Sequence, residues 1–219
     1  MKYTHLLFDF DGMLVDTLEG VLYSAKYALD YFGIKVKNLS ELKPFLGPPL
    51  RDSFSKRYGL KDEQCDKAIE KYRECYKKCC NEKSKLNDGI YEALPKLKEH
   101  GYTLAVATSK YEKTAADMLE SFGIKKYFDV ISGSNLDESV SKKSEVIEQA
   151  LKRLGIENER EKALMIGDMK FDDIGAKEAH IDSLGVYTGT AKENEHEQAG
   201  ATYIARSIND MTEFLLSMK

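Results

Sequence analysis

The chain has 219 residues, 42% of them hydrophobic and 32% charged, with a formal net charge of −4. That length suits one large domain, or a domain with a smaller insert, and the composition is that of a globular protein. The acidic balance implies no general affinity for nucleic acid polymers, and no apolar run approaches a membrane-spanning length. The segment Met1–His5 enters the first apolar run at once and leaves no room for a signal peptide. Together with the four cysteines, Cys65, Cys75, Cys79 and Cys80, all in one polar segment, it predicts reduced thiols and a cytoplasmic protein. Cys75 and Cys79 share a helical face, a possible metal spacing, but no histidine lies nearby.

The first element is a short buried strand over Leu6-Leu7-Phe8, followed by Asp9-Phe10-Asp11 and a turn at Gly12. Side chains alternate along a strand, so Asp9 and Asp11 fall on one side as it ends. An Asp-rich turn is common, but two carboxylates ending an apolar strand repel each other unless a cation or a shared proton resolves the conflict. Thr17 then reads as the cap of a helix through Val21, Leu22, Ala25, Leu29 and Phe32, ended by Gly33. A short helix follows near Leu39–Leu42, and Pro48-Pro49 force an extended loop before the next helix. A charged helix runs from Lys61 to about Glu82 with a solvated face. No strand is expected between Thr17 and Lys85.

From Asn87-Asp88-Gly89 onward the pattern alternates. Helices are expected at Ile90–His100, Tyr111–Phe122, Lys143–Leu154, Asp172–Ala179 and Ile208–Met218. Strands are expected at Tyr102–Ala107, Phe128–Ile131, Ala163–Ile166, Ser183–Val186 and near Tyr203–Ala205. The fold class is therefore α/β: a Rossmann-like, doubly wound parallel sheet formed by residues 1–16 and 86–219, with a helical insert at 17–85.

Ligands bind beyond the carboxyl ends of such strands, and four element ends there carry chemistry. Asp9 and Asp11 end the first strand. Thr108-Ser109-Lys110 follow Ala105-Val106-Ala107 and precede a helix, where hydroxyls and free N–H groups suit an anion; the same pair also reads as an ordinary helix cap. Lys142-Lys143 open a helix against its dipole, a conflict that a bound anion relieves, although solvation of the pair explains it as well. Gly167-Asp168 and Asp172 end the fourth, and clustered carboxylates of this kind suit Mg²⁺. The set equips a site for phosphoryl transfer through an aspartyl-phosphate.

Asp9-Phe-Asp11-Gly-Met-Leu-Val-Asp16-Thr17 resembles the first motif of the haloacid dehalogenase superfamily, Thr108 its second, Lys143 its third, and Gly167-Asp168 with Asp172 its fourth. The insert resembles the helical cap of its phosphoglycolate-phosphatase-like branch, and Gly47-Pro-Pro-Leu-Arg-Asp-Ser-Phe54 resembles phosphoglycolate phosphatases and cytosolic 5′-nucleotidases. The resemblance implies a Mg²⁺-dependent phosphatase acting on a small phosphorylated metabolite: phosphoglycolate, a nucleoside monophosphate or a sugar phosphate. It implies Asp9 as nucleophile, Asp11 as proton donor and then base, and Gly12, Thr108, Ser109 and Lys143 around the transferred phosphate. It also implies metal binding by Asp9, the Asp11 carbonyl, Asp168 and Asp172. Lys142 competes with Lys143 for the third motif. Arg51 is a candidate contact for a second anionic group, with a solvated arginine as the plain reading. Asp11 argues against a dehalogenase, which lacks an acid there. A sugar phosphomutase is the next enzyme choice, although Val21 stands where its cap histidine belongs and Leu50 where its arginine belongs. Phosphonatases use a cap lysine, and no apolar pocket is evident around Lys26 or Lys56. A catalytically idle binding module is the alternative from a different class.

Overall fold

The computed structural model describes residues 2–79, 82–137, 139–188 and 191–218. Cys80 and the end of the charged helix at 80–81 lie outside the described residues. By contact density the chain divides into two units, Met1–Val15 with Leu86–Lys219, and Asp16–Lys85.

The first unit is built on a six-stranded sheet. In chain order its strands are β1 (His5–Phe8), β4 (Thr103–Tyr111), β5 (Val130–Ser134), β6 (Ala163–Gly167), β7 (Asp182–Val186) and β8 (Tyr203–Ala205). They lie in the order β5-β4-β1-β6-β7-β8, every pair parallel. The first strand is therefore central, with Leu7 between Ala105 and Met165. Leu6, Leu7 and Phe8 are fully buried, as expected of a parallel strand covered on both faces. Leu7 belongs to a core shared with Val146, Ile147, Ala150 and Leu151 of α6 (Lys143–Leu154) and Ala176 of α7 (Lys170–Glu178). On the other face Phe8 meets Phe128 edge-on at 6.2 Å. The remaining helices of this unit are α4 (Ile90–Glu99), α5 (Glu112–Ser121), α8 (Glu195–Ala199) and α9 (Ile208–Ser217), the last held by a Tyr102 hydroxyl that donates to the Leu215 carbonyl at 2.7 Å. The chain works outward from β1 on one side and then on the other, placing a topological switch at the carboxyl end of β1.

The second unit holds α1 (Leu18–Tyr31), a 3-10 turn at Leu39–Phe45, α2 (Leu50–Tyr58) and α3 (Asp62–Cys79). Phe45 packs against Phe54 at 4.9 Å and Tyr58 at 5.9 Å, and the buried Cys65 thiol donates to the Leu60 carbonyl at 3.1 Å. The charged face of α3 carries ion pairs such as Lys71–Glu74 at 2.8 Å. No helix among the described residues is long and apolar enough to cross a membrane.

Several local expectations change. Thr17 occupies the cap position of α1 but makes no capping bond; Asp16 Oδ1 accepts from the Leu18 N–H at 3.2 Å instead. Strand β4 continues through Thr108-Ser109-Lys110 to Tyr111, so those residues end a strand and do not begin a helix. β5 starts at Val130, after a 3-10 turn at Lys125–Tyr127, and not at Phe128. Two strands of two residues each, β2 (Val15–Asp16) and β3 (Lys85–Leu86), pair where the chain leaves the first unit and returns to it. Segments that short carry no readable periodicity.

Truncating Leu7 to Ala should lower unfolding stability by about 2–5 kcal/mol, because the cavity opens between two paired strands that cannot collapse around it. Urea denaturation followed by circular dichroism is the measurement.

Candidate active site

The carboxyl ends of β1 and β6 and the first turns of α6 and α7 meet at one buried cluster. Asp9 follows directly on β1, with its N–H donated to the Ile166 carbonyl on β6 at 2.8 Å. Asp168 follows β6 and is fully buried. Asp172, in the first turn of α7, turns Oδ2 back to accept the Met169 N–H at 3.1 Å, which directs Oδ1 inward. Oxygens of Asp9, Asp168 and Asp172 lie within 4.8 Å of one another.

Between two of them sits Lys143. Its ammonium is 2.6 Å from Asp9 Oδ1 and 2.8 Å from Asp172 Oδ1, and donates to the Ala107 carbonyl at 3.3 Å. Lys143 is buried whereas Lys142 is exposed, so the lysine in the cluster is Lys143. The dipole conflict at the start of α6 is answered by two carboxylates of the protein itself. Burial would lower the Lys143 pKa, but Asp172 and Asp9 outweigh it and raise it.

Burial pushes the Asp9 carboxyl up to about 6; Lys143 opposes the shift, and the charges of Asp172 and Asp11 reinforce it. Three buried carboxylates against one buried ammonium leave negative charge in excess. Oδ1 of Asp9 and Oδ1 of Asp172 touch the ammonium yet accept no hydrogen bond of good geometry. Hard carboxylate oxygens with spare acceptor capacity fit a small divalent cation.

Asp11 has a different environment. Its carboxylate is outside the cluster and faces Lys110, at 2.9 Å and 3.2 Å. Thr108 is buried, and its Oγ1 accepts the Lys110 N–H at 3.2 Å; Ser109 between them is half-buried. Gly12 has φ +89, and any Cβ there would overlap the Asp168 carboxylate. Its N–H is committed to the Val15 carbonyl at 2.8 Å. Arg51 lies in the helical unit, ion-paired with Asp66.

Some contributors escaped sequence reasoning. Asn87 Nδ2 and Thr188 Oγ1 donate to the Gly12 carbonyl at 2.6 and 2.8 Å and brace the turn after Asp9. In the sequence Asn87 has only the look of a boundary residue, and Thr188 carries no signal. Behind Asp172, Asp173 Oδ2 holds His196 Nδ1 at 2.6 Å in a fully dry pair. The Lys110 contact was findable in principle, since residues 108 and 110 are two apart in a strand.

The raised Asp9 pKa has a consequence for stability. An unfolded Asp loses its proton near 3.8, whereas folded Asp9 keeps it to about 6. The native state therefore binds more protons in that window, and stability falls as pH rises through it. In EDTA buffer, Asp9→Asn should be more stable than the wild type above pH 6 by about 1–3 kcal/mol, the gap closing below pH 4. Urea denaturation at stepped pH measures it.

Residues 6–186 match the family model of haloacid dehalogenase-like hydrolases. The chain is 34% identical to a 5′-nucleotidase of Pseudomonas aeruginosa, over 99% of its own length and 97% of that enzyme's. It is also 34% identical to the tyrosine-protein kinase PtkA of Mycobacterium tuberculosis, over 96% of its own length and 72% of that protein's. The crystal structure of a predicted phosphatase from Clostridium acetobutylicum superposes with a TM-score of 0.95 at 40% identity, both chains covered in full. The chain thus belongs to the haloacid dehalogenase-like hydrolases, as a phosphatase of that family.

Proposed function

We propose that the enzyme hydrolyses a small phosphate monoester in a Mg²⁺-dependent reaction that passes through a phosphoryl group on Asp9. The observation that carries this reading is the Lys143 ammonium 2.6 Å from Asp9 Oδ1 inside a cluster of buried carboxylates. Asp9, the main-chain carbonyl of Asp11, Asp168 and Asp172 are the residues assigned to the metal. Bound there, Mg²⁺ supplies positive charge that offsets the carboxylates and the transferring phosphoryl oxygens.

Asp9 attacks phosphorus, and the ester bond to the leaving oxygen breaks. Asp11 gives that oxygen a proton, then takes one from the water that attacks the aspartyl-phosphate, so no net proton is spent on the enzyme. Lys143 neutralises the transferring oxygens, and the Thr108 hydroxyl, which already accepts from Lys110, has its own proton left to donate to them. Ser109 adds a second hydroxyl to that anion site. Residues 17–85 act as the cap domain that determines substrate choice, with Arg51 offered to a second anionic group. Of phosphoglycolate, nucleoside monophosphates and sugar phosphates, the 5′-nucleotidase relative favours the nucleotide.

Phosphate release from p-nitrophenyl phosphate should require Mg²⁺ and stop in EDTA. Lys143→Met should lower kcat by about 10²–10³, and Asp9→Asn should abolish turnover. Metal-independent release, or activity in Asp9→Asn, would overturn the mechanism. A screen of nucleoside monophosphates, sugar phosphates and phosphoglycolate should rank the nucleotides first. Interconversion of glucose phosphates faster than phosphate release would install the mutase in its place, and phosphate transfer from ATP to a tyrosine peptide would point to a kinase.

A further inference from the structure

Lys110 belongs to none of the four motifs, yet it is more tightly held than a surface lysine. Its side chain is only 8% exposed, and its ammonium reaches both oxygens of Asp11, at 2.9 Å and 3.2 Å. The backbone is fixed from two sides. The Lys110 N–H is donated to the Thr108 hydroxyl at 3.2 Å. On the neighbouring strand, a Cβ at Gly133 would stand 2.7 Å from the Lys110 carbonyl oxygen, so the two strands approach there as only glycine allows. The β4–β5 pairing changes register between Ala107 and Tyr111, a bulge that re-aims the intervening side chains. The ammonium also lies 5.4 Å from the ring of Phe10, which is fully buried beside Asp11.

We propose that Lys110 is a positioning residue for Asp11, and that it serves the second half of the reaction. An ammonium facing both oxygens of a carboxylate fixes its orientation when that carboxylate is ionised; a proton on either oxygen removes one of the two contacts. Asp11 is an ionised acceptor when it takes the proton from water during hydrolysis of the aspartyl-phosphate. It is a protonated donor in the first half, when the leaving oxygen departs. Lys110 gives up no proton in either step. Its loss therefore slows hydrolysis of the phosphoenzyme more than its formation. This inference rests on the aspartyl-phosphate reading above.

The test is stopped-flow and steady-state kinetics with p-nitrophenyl phosphate and Mg²⁺ on the wild type, Lys110→Met and Lys110→Arg, each checked for an unchanged melting profile. For Lys110→Met we expect kcat to fall about 10–100-fold, within the range of acid–base contributions. We expect kcat/KM, which reports formation of the phosphoenzyme, to change less than about threefold, and a burst of nitrophenol approaching one per enzyme to emerge. Lys110→Arg, which keeps the charge, should recover most of kcat. Equal falls in kcat and kcat/KM without a larger burst, or unchanged kinetics in a folded Lys110→Met, would overturn the proposal. Should Lys110→Met fail to fold, Lys110→Gln takes its place with the same readouts: a fall in kcat with kcat/KM held upholds the proposal, and equal falls or unchanged kinetics overturn it. Failure of the underlying reading would show separately, as turnover in Asp9→Asn.

Discussion

A single buried ammonium ties the α/β unit together. Lys143 touches Asp9 and Asp172 at once, and through them it links the end of the central strand, the start of α6 and the first turn of α7. Those segments are far apart in sequence, and only the strand order around β1 brings them together. Burying an ion is expensive, and attraction offsets the cost only when the partners are close and well placed. The pairing is therefore not an optional decoration. Without both carboxylates, a dry ammonium would stand against the dipole of its own helix.

The same cluster is poised and not neutral. Asp168 adds a third buried carboxylate, and the Asp9 carboxyl is displaced upward by burial and by its acidic neighbours. A protein optimised for stability alone would not place these groups together, and the excess of buried negative charge is what the proposed cation would offset. Around it the supporting contacts are neutral and rigid. Asn87 and Thr188 brace the Gly12 carbonyl, which lets the turn pass close under Asp168. Asp11 stands apart from the cluster, held by Lys110, and the separation keeps the proposed proton carrier distinct from the proposed nucleophile.

Legibility differed by element for physical reasons. The apolar run before Asp9 and the alternation after Asn87 revealed the α/β class, because burial on both faces leaves unbroken hydrophobic strands. Thr108-Ser109-Lys110 looked like a helix start because hydroxyl residues favour caps, but pairing with β5 carries β4 through them to Tyr111. Thr17 was a better cap by composition than Asp16, yet the Asp16 carboxylate reaches the Leu18 N–H and Thr17 does not. Two-residue strands and the five-residue α8 are too short to carry a period.

By itself the sequence determined which groups are available and roughly where along the chain: paired carboxylates after one strand, a third and fourth after another, and lysines at a helix start. Local pattern suffices for that, since strand ends and helix starts are set by neighbouring residues. Which lysine enters the site, which carboxylate it pairs with, and that Asp11 answers to Lys110 were decided only by the tertiary structure. These depend on strand order and on the direction of side chains from non-adjacent elements. Lys142 and Lys143 differ by one residue in sequence, and the rotation of α6 against the sheet buries one and leaves the other in water.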